Sequence, residues 1–357
     1  MQQVSVSRVA QEAGVSPALV SRFVNQDPDL WISDDKRIRI ITAAERLGGM
    51  PVGRGARRRL RTRTHTIFMP IGKQQAPDWK TGLSSKLTYH QFLQALNEEL
   101  NEQNHQLAVT FFDEQRRTEQ IHRLIEPPTA CEGLILSRGV INLKLARELW
   151  QVRMPHVGLD DDAEALGLNS ILVNQNYAFT QAILHLQTLG HKRIIYVGPR
   201  ENTPNYTAVL SAFVNAGLPV SENEYCFINA PQETHPDWRK AAHEPFYNWL
   251  NQKHDVTAAV FFNDELLLGA IDIMRQQGVA PGRDLSLIGY GNIEQRLGTN
   301  PHDPIISTID YPVESIARRC VASLFRQTER EQTTVTNERV LTHVINRSTT
   351  WPAPNRR

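Results

Sequence analysis

The sequence predicts an all-α head of three short helices followed by an α/β body of two lobes, each a parallel sheet flanked by helices. Three observations predict it. Apolar residues in the first 47 positions recur at helical spacing, and from Thr66 onward short apolar runs alternate with helix-period segments. Charge divides at the same place: residues 1–65 carry twelve Lys and Arg against six Asp and Glu, whereas the rest of the chain carries 27 against 32. The near-neutral total of +1 thus conceals a basic head on an acidic body.

In the head, Val6, Val9, Ala10 and Ala13 form the single apolar face of a short helix, and Gly14 can enter the left-handed turn that ends it. Ser16 offers a capping hydroxyl for a second helix, and Pro17 suits its first position, where no intrahelical donor is needed. Leu19, Val20 and Phe23 turn inward. This is the spacing of a helix-turn-helix, whose second helix enters the major groove of DNA, and a basic head supplies the phosphate neutralisation this requires. Ser16, Pro17, Ala18, Ser21, Arg22 and Asn25 are then the side chains placed to meet bases and phosphates.

Ser33 with Asp34 and Asp35 marks the start of a third helix, with carboxylates where the helix dipole favours them. Ile38, Ile41, Ala44 and Leu47 are expected to form its apolar stripe, and Gly48-Gly49 its end. Beyond Pro51 come six arginines in the ten residues from Arg54 to Arg63. Alone in water such a run repels itself; against phosphates, Arg57, Arg58 and Arg59 lose that repulsion and the segment can order.

The body begins with apolar runs at 67–71, 107–112, 133–136 and 155–159, alternating with helical patterns, and the alternation restarts at 171–173, 194–197, 225–228, 259–262 and 285–289. Some 285 residues exceed one small core and suffice for two lobes. Ligands of open parallel sheets sit beyond the carboxyl ends of strands. The loops there contribute Lys73, Ser137, Arg138, Asp160, Asn263 and Asp264, and Trp238 stands in a polar loop able to stack on a ligand ring. No stretch approaches membrane-spanning length and no signal-peptide pattern opens the chain, so a cytoplasmic protein is expected. Cys131, Cys226 and Cys320 fit neither a disulfide framework nor a zinc site, so reduced core thiols are expected. The histidines flank no nucleophile motif and no metal spacing; neither an enzyme, a metal nor a cofactor is expected.

These motifs resemble the LacI/GalR-type transcriptional repressors from end to end. The match is most specific at Val9-Ala10, Ala13-Gly14-Val15-Ser16, Val20-Ser21-Arg22 and Val24-Asn25. It continues through Leu189-Gly190-His191-Lys192-Arg193-Ile194, Gly198-Pro199, Phe262-Asn263-Asp264, Leu268-Gly269-Ala270 and Leu285-Ser286-Leu287-Ile288-Gly289-Tyr290. The resemblance implies a periplasmic-binding-protein-like body with three crossovers, a homodimer on a palindromic operator in double-stranded DNA, and a small-molecule effector of the sugar class between the lobes. It also implies paired hinge helices that insert Leu60 into the minor groove as an apolar wedge. The domains expected are 1–50 (head), 51–65 (hinge) and 66–351 (body), with lobe 1 at about 66–168 and 299–330 and lobe 2 at about 169–298 and 331–351.

Several residues depart from the family pattern. Arg8 replaces an Asp, Gly49 an aromatic, and the Ala56-to-Leu60 spacing is one residue longer than usual. In the cleft Val209 stands where the resemblance places an Arg, and Gly291 where it places an Asp. The reading from sequence is a ligand-controlled repressor of carbohydrate-related genes. The alternatives are a solute-binding protein of the same body fold and a regulator with a degenerate effector site; an α/β enzyme comes third.

The arginine segment generates a prediction. Operator DNA should protect residues 54–63 from protease much more than random DNA does, and Leu60→Ala should lower operator affinity and DNA bending with the body intact. Circular-permutation gel shifts measure the bend; a wild-type bend in the variant would assign the wedge elsewhere.

Overall fold

The computed structural model describes residues 4–24, 30–47, 51, 65–72, 83–112, 116–125, 131–137, 140–159, 161–200, 204–220, 226–227, 237–252, 255–293, 305–329 and 335–354. The chain falls into two compact units, Met1–Thr66 with His122–Glu132, and Ile67–Ile121 with Gly133–Arg357.

In the first unit, α1 (Val6–Ala13) starts where the Ser5 hydroxyl accepts from Arg8 N at 3.2 Å, and it stops at Gly14, whose φ of 63° lies in the left-handed region. α2 (Pro17–Val24) follows, with Ser16 Oγ accepting from Leu19 N at 3.2 Å. α3 (Asp34–Arg46) closes a small core of Val9, Ala10, Ala13, Val20, Ile40, Ala43 and Ala44, against which Leu19, Phe23 and Leu47 pack. The expected stripe of α3 is corrected here: Ile38 and Ile41 are exposed, at 62% and 37%, and Ile40 with Ala43 is inside. A series spaced by three residues drifts about 60° per step, so Ile38 and Leu47 lie on opposite sides of the helix and cannot share a face. Arg39 reaches the Ala13 carbonyl at 3.5 Å and pairs with Asp35 at 3.1 Å, placing a cation at the carboxyl end of α1.

From Thr66 onward the chain runs β1 (Thr66–Gly72), α4 (Leu83–Glu102), β2 (Gln106–Phe112), α5 (Arg117–Ile125), β3 (Gly133–Leu136), α6 (Leu143–Val152), β4 (His156–Gly158), α7 (Asp161–Ala165), β5 (Ser170–Val173), α8 (Gln175–Thr188), β6 (Ile194–Gly198), α9 (Pro204–Asn215), β7 (Cys226–Phe227), α10 (Trp238–Ala241), α11 (His243–Leu250), β8 (Ala258–Phe261), α12 (Asp264–Gln276), β9 (Ser286–Tyr290), β10 (Ser307–Ile309), α13 (Val313–Glu329), β11 (Asn337–Val340) and β12 (Val344–Ile345). Two sheets result, of order β11-β5-β4-β3-β1-β2 and β12-β10-β9-β8-β6-β7. The described pairings are parallel except that of β10 with β12.

Sheet membership divides the chain differently from the lobe boundaries expected from sequence. β5 and β11 belong to the first sheet, where Ser170 pairs with Asn337, and β10 belongs to the second, beside β9. The chain therefore crosses between sheets after Val173, after Ile309 and after Val340. The first sheet buries Met69, Ile71, Leu96, Leu100, Ile135, Val157 and the inner face of α13, Cys320 included. The second buries Phe179, Ile195, Phe213, Phe246, Phe261, Leu267 and Ile288. Cys131 and Cys320 are buried, and the Cys131 thiol donates to the Leu124 carbonyl at 3.1 Å.

Buried polar groups fasten both lobes. His191 is 2% exposed; its Nε2 donates to the Trp351 carbonyl at 2.9 Å, which leaves Nδ1 to accept from the Thr257 hydroxyl at 2.9 Å and anchors the C-terminal segment. In the first lobe, Gln327 of α13 accepts from His156 N and donates to His156 O, at 3.1 and 2.8 Å, while His156 Nδ1 donates to the Met154 carbonyl at 2.7 Å.

Burial holds both imidazoles below their ordinary value of 6.5, outweighing in each case a backbone carbonyl that favours the charged ring. The unfolded chain thus takes up these protons more readily, so the stability they contribute is full above pH 6.5 and is lost as pH falls below it. Thermal melts between pH 8 and 5 should show Tm falling on the acid side of 6.5, with a shallower slope in His191→Gln. An identical slope in the variant would contradict this role.

Candidate functional site

The head presents the outer face of α2. Ser16, Pro17, Ala18 and Arg22 are exposed and Ser21 is half-buried, while Val20 on the opposite side is fully inside. The packing of α2 against α1 requires this division, since the buried positions leave only 17, 18, 21 and 22 outward. Ser16 is committed in part to capping, and its hydroxyl lies at the amino end of α2. Pro17 and Ala18 supply apolar contact suited to a thymine methyl, and Arg22 a donor fork suited to guanine or phosphate. Asn25, Arg57, Arg58, Arg59 and Leu60 lie outside the described residues.

In the body, each crossover leaves the carboxyl end of a strand: β5 into α8, β10 into α13, β11 into β12. The carboxyl ends of both sheets therefore flank the crossovers, the place where open parallel sheets bind ligands. The crossovers are laced together. Asn174 N donates to the Val340 carbonyl at 2.9 Å, Asp310 N to the His343 carbonyl at 3.0 Å, and the Thr342 hydroxyl to the Asp310 carbonyl. Tyr311 packs against the cores of both lobes and meets Tyr290 edge-on at 6.2 Å, and Tyr290 stacks on Phe179 at 5.7 Å.

The residues expected to hold an effector divide into three groups. Lys73, Arg138 and Asp160 lie outside the described residues. Ser137, Asn263 and Asp264 stand at strand ends, but their polar atoms serve the protein: Ser137 Oγ donates to Pro70 O at 3.0 Å, and Asn263 Oδ1 accepts from Leu266 N at 2.8 Å as the cap of α12. Asp264 is 0% exposed, its two oxygens accepting from Thr308 Oγ1 at 2.7 Å and Ile293 N at 2.8 Å. Trp238 alone presents a half-buried ring, 5.1 Å from that of Phe262 and tilted by 38°.

Val209 is fully buried in the second core, and Gly291 is buried with φ 123°, its N–H on the Ile309 carbonyl at 2.9 Å. Beside it Asn292 is held at φ 55° by three partners: its amide donates to Asp310 Oδ1 at 2.9 Å, its Oδ1 accepts from Arg347 Nη2 at 2.8 Å, and its N–H points to Thr308 Oγ1 at 3.3 Å. Sequence reasoning placed Asn292 in a loop at the cleft but gave Phe262 and Tyr311 no role there. Their signal is an aromatic beside the end of an apolar strand, which is too common to single them out.

A capped helix pair on a basic segment, followed by a two-sheet body with three crossovers, defines a DNA-binding regulator with a periplasmic-binding-protein-like domain. Residues 183–350 match the family described as periplasmic binding protein-like domain. Catabolite control protein A of Priestia megaterium is 25% identical over 326 residues, covering 88% of this chain and 91% of that protein, and the transcriptional repressor CytR of Escherichia coli is 28% identical over 326 residues, covering 89% and 88%. Among solved structures, the lac repressor dimer bound to operator and the anti-inducer ONPF superposes with a TM-score of 0.62 at 19% identity, covering 98% of this chain and all of that one. A LacI-family regulatory protein from Chloroflexus aggregans gives 0.63 at 20% identity, covering 80% and 98%. Over most of its length the chain is thus similar to LacI/GalR-type transcriptional repressors.

The geometry of Asp264 generates a test. Asp264→Ala leaves the Ile293 N–H and the Thr308 hydroxyl without their acceptor in a dry site, which costs about 2–4 kcal/mol of stability. Urea denaturation should show this without any ligand present. Wild-type stability with altered ligand response would return Asp264 to the effector site.

Proposed function

We propose that the protein is a homodimeric, cytoplasmic repressor of carbohydrate-related genes that reads a palindromic operator with α2 and is controlled by a small molecule held between its lobes. The observation that carries this reading is the exposed face of α2 on a head whose net charge is +6 over residues 1–65. Phosphate contacts from the head and the arginine segment supply affinity, and Pro17, Ala18, Ser21 and Arg22 supply sequence choice. Among the described residues no helix is long and apolar enough to cross a membrane, which agrees with a protein that acts on DNA. A ligand controls such a protein only by binding one arrangement of the lobes better than the other. The solved complex of the transcriptional regulator CelR with cellobiose supports the sugar class of effector.

A second reading, a regulator whose effector site has degenerated, is favoured by two observations: Val209 lies in the core and Gly291 carries no side chain. Neither can pair a ligand's polar groups, and each missing partner costs roughly 1–3 kcal/mol.

Arg22→Ala should weaken operator binding by about 1–3 kcal/mol if the guanidinium meets a base edge. Replacing Pro17-Ala18 by a polar pair should change the preferred half-site more than the non-specific affinity. Gel shifts across a half-site library measure both, and unchanged preference in both variants would contradict the assignment of α2. For the cleft, calorimetry against plain hexoses should detect no sub-millimolar binding. Such binding, with release of operator, would mean that neighbouring residues replace the missing Arg and Asp.

A further inference from the structure

Beyond β9 the chain turns back onto the crossovers. Gly291 extends the ladder with its N–H on the Ile309 carbonyl, and at Asn292 the backbone enters the left-handed region at φ 55°, which asparagine adopts more readily than most residues with a side chain. The turn buries the Asn292 amide between two charged groups. Its Nδ2 donates to Asp310 Oδ1 at 2.9 Å and its Oδ1 accepts from Arg347 Nη2 at 2.8 Å, so one side chain serves an acceptor and a donor at once. An ionised carboxylate in its place would lose the first bond, and an aliphatic group both. The two partners are themselves fixed. Arg347 donates through Nη1 to the Ile306 carbonyl at 2.9 Å and through its backbone N–H to Ser307 Oγ at 2.8 Å, where β10 begins. Asp310 is where two crossovers meet: its N–H lies on the His343 carbonyl at 3.0 Å, and its own carbonyl accepts from the Thr342 hydroxyl.

We propose that Asn292 is a positioning residue through which the loop after β9 sets the crossovers, and with them the arrangement of the lobes. Arg347 holds the amide from the β10 side, so a shift of the loop passes to Asp310 instead of being absorbed by rotation of the Asn292 side chain. Asp310 carries the crossover from β10 into α13 and, through His343 and Thr342, is bonded to the crossover from β11 into β12. With the tie broken, the crossovers move independently of the loop. The body then spreads over arrangements other than the one that binds DNA, and apparent operator affinity falls by the fraction lost. The inference rests on the reading of the protein as a repressor controlled through its lobes.

The test exchanges the two side chains in the full-length protein. Asn292→Asp keeps the size and the bond to Arg347 but sets a second carboxylate against Asp310. Asn292→Gly keeps the backbone turn and removes the amide. Asn292→Asp combined with Asp310→Asn restores the bond with its donor reversed. Hydrogen exchange read by mass spectrometry follows the crossover segments 308–313 and 341–345, with 258–261 of β8 as the internal reference, and melting curves confirm folding. Gel shifts on the palindrome recovered from a random DNA library give operator affinity. Both single variants should speed exchange at the crossovers roughly tenfold with β8 unchanged, and weaken operator binding about five- to tenfold, while the combined variant returns both close to wild type. Wild-type exchange at the crossovers in folded single variants, a rise shared equally by β8, or faster exchange that the combined variant fails to reverse would overturn the proposal. Faster exchange that is reversed, with operator affinity unmoved throughout, supports the tie and counts against lobe control alone.

Discussion

The cleft end of the second lobe depends on one buried carboxylate. Asp264 opens α12, yet its oxygens are spent on the Thr308 hydroxyl of β10 and on Ile293 N, beyond β9. A fully buried carboxyl group is tolerable only when hydrogen bonds replace its water, and here those bonds join a helix, a strand and a loop that are distant in sequence. Gly289 in β9 must lack a side chain for the carboxylate to fit. Fixing these elements fixes the Asp310–Tyr311 crossover, which leads directly from β10 into the helix that completes the first lobe.

From that constraint the division of labour in the body follows. Polar groups near the crossovers are used to hold backbone, and the crossovers are bonded to one another rather than left as simple tethers. The aromatic sequence Phe179, Tyr290, Tyr311 runs from α8 to a position packed on both cores. A rearrangement of the lobes must repack Tyr311, which makes the transition a choice between discrete packings rather than a continuous bend.

Local features of the fold were legible in the sequence where a residue type forces a geometry. Gly14, Ser16 and Pro17 set the end of α1 and the start of α2, and both lie where expected. Alternating runs gave parallel sheets. Phase and pairing were harder. With Ile38, Ile40 and Ile41 all present, α3 admits two apolar stripes, and only the one that stays on a single face, Ile40, Ala43, Ala44 and Leu47, packs inside. β5 pairs with β11, whose sequence lies beyond the whole second lobe, so no local pattern reveals the crossover. Asp264 was recognisable as a special residue but not as a buried one. The direction of its carboxylate depends on the missing side chain of Gly289, in a strand that follows α12.

The central claim is that the head selects a DNA sequence, and retention of genomic fragments by the full-length protein at two salt concentrations tests it most directly. Sequencing the retained pool should yield a palindrome with two equal half-sites, enriched further at the higher salt, because non-specific phosphate binding weakens with salt while base contacts persist. A pool that shows no motif, or whose enrichment disappears as salt rises, would contradict it.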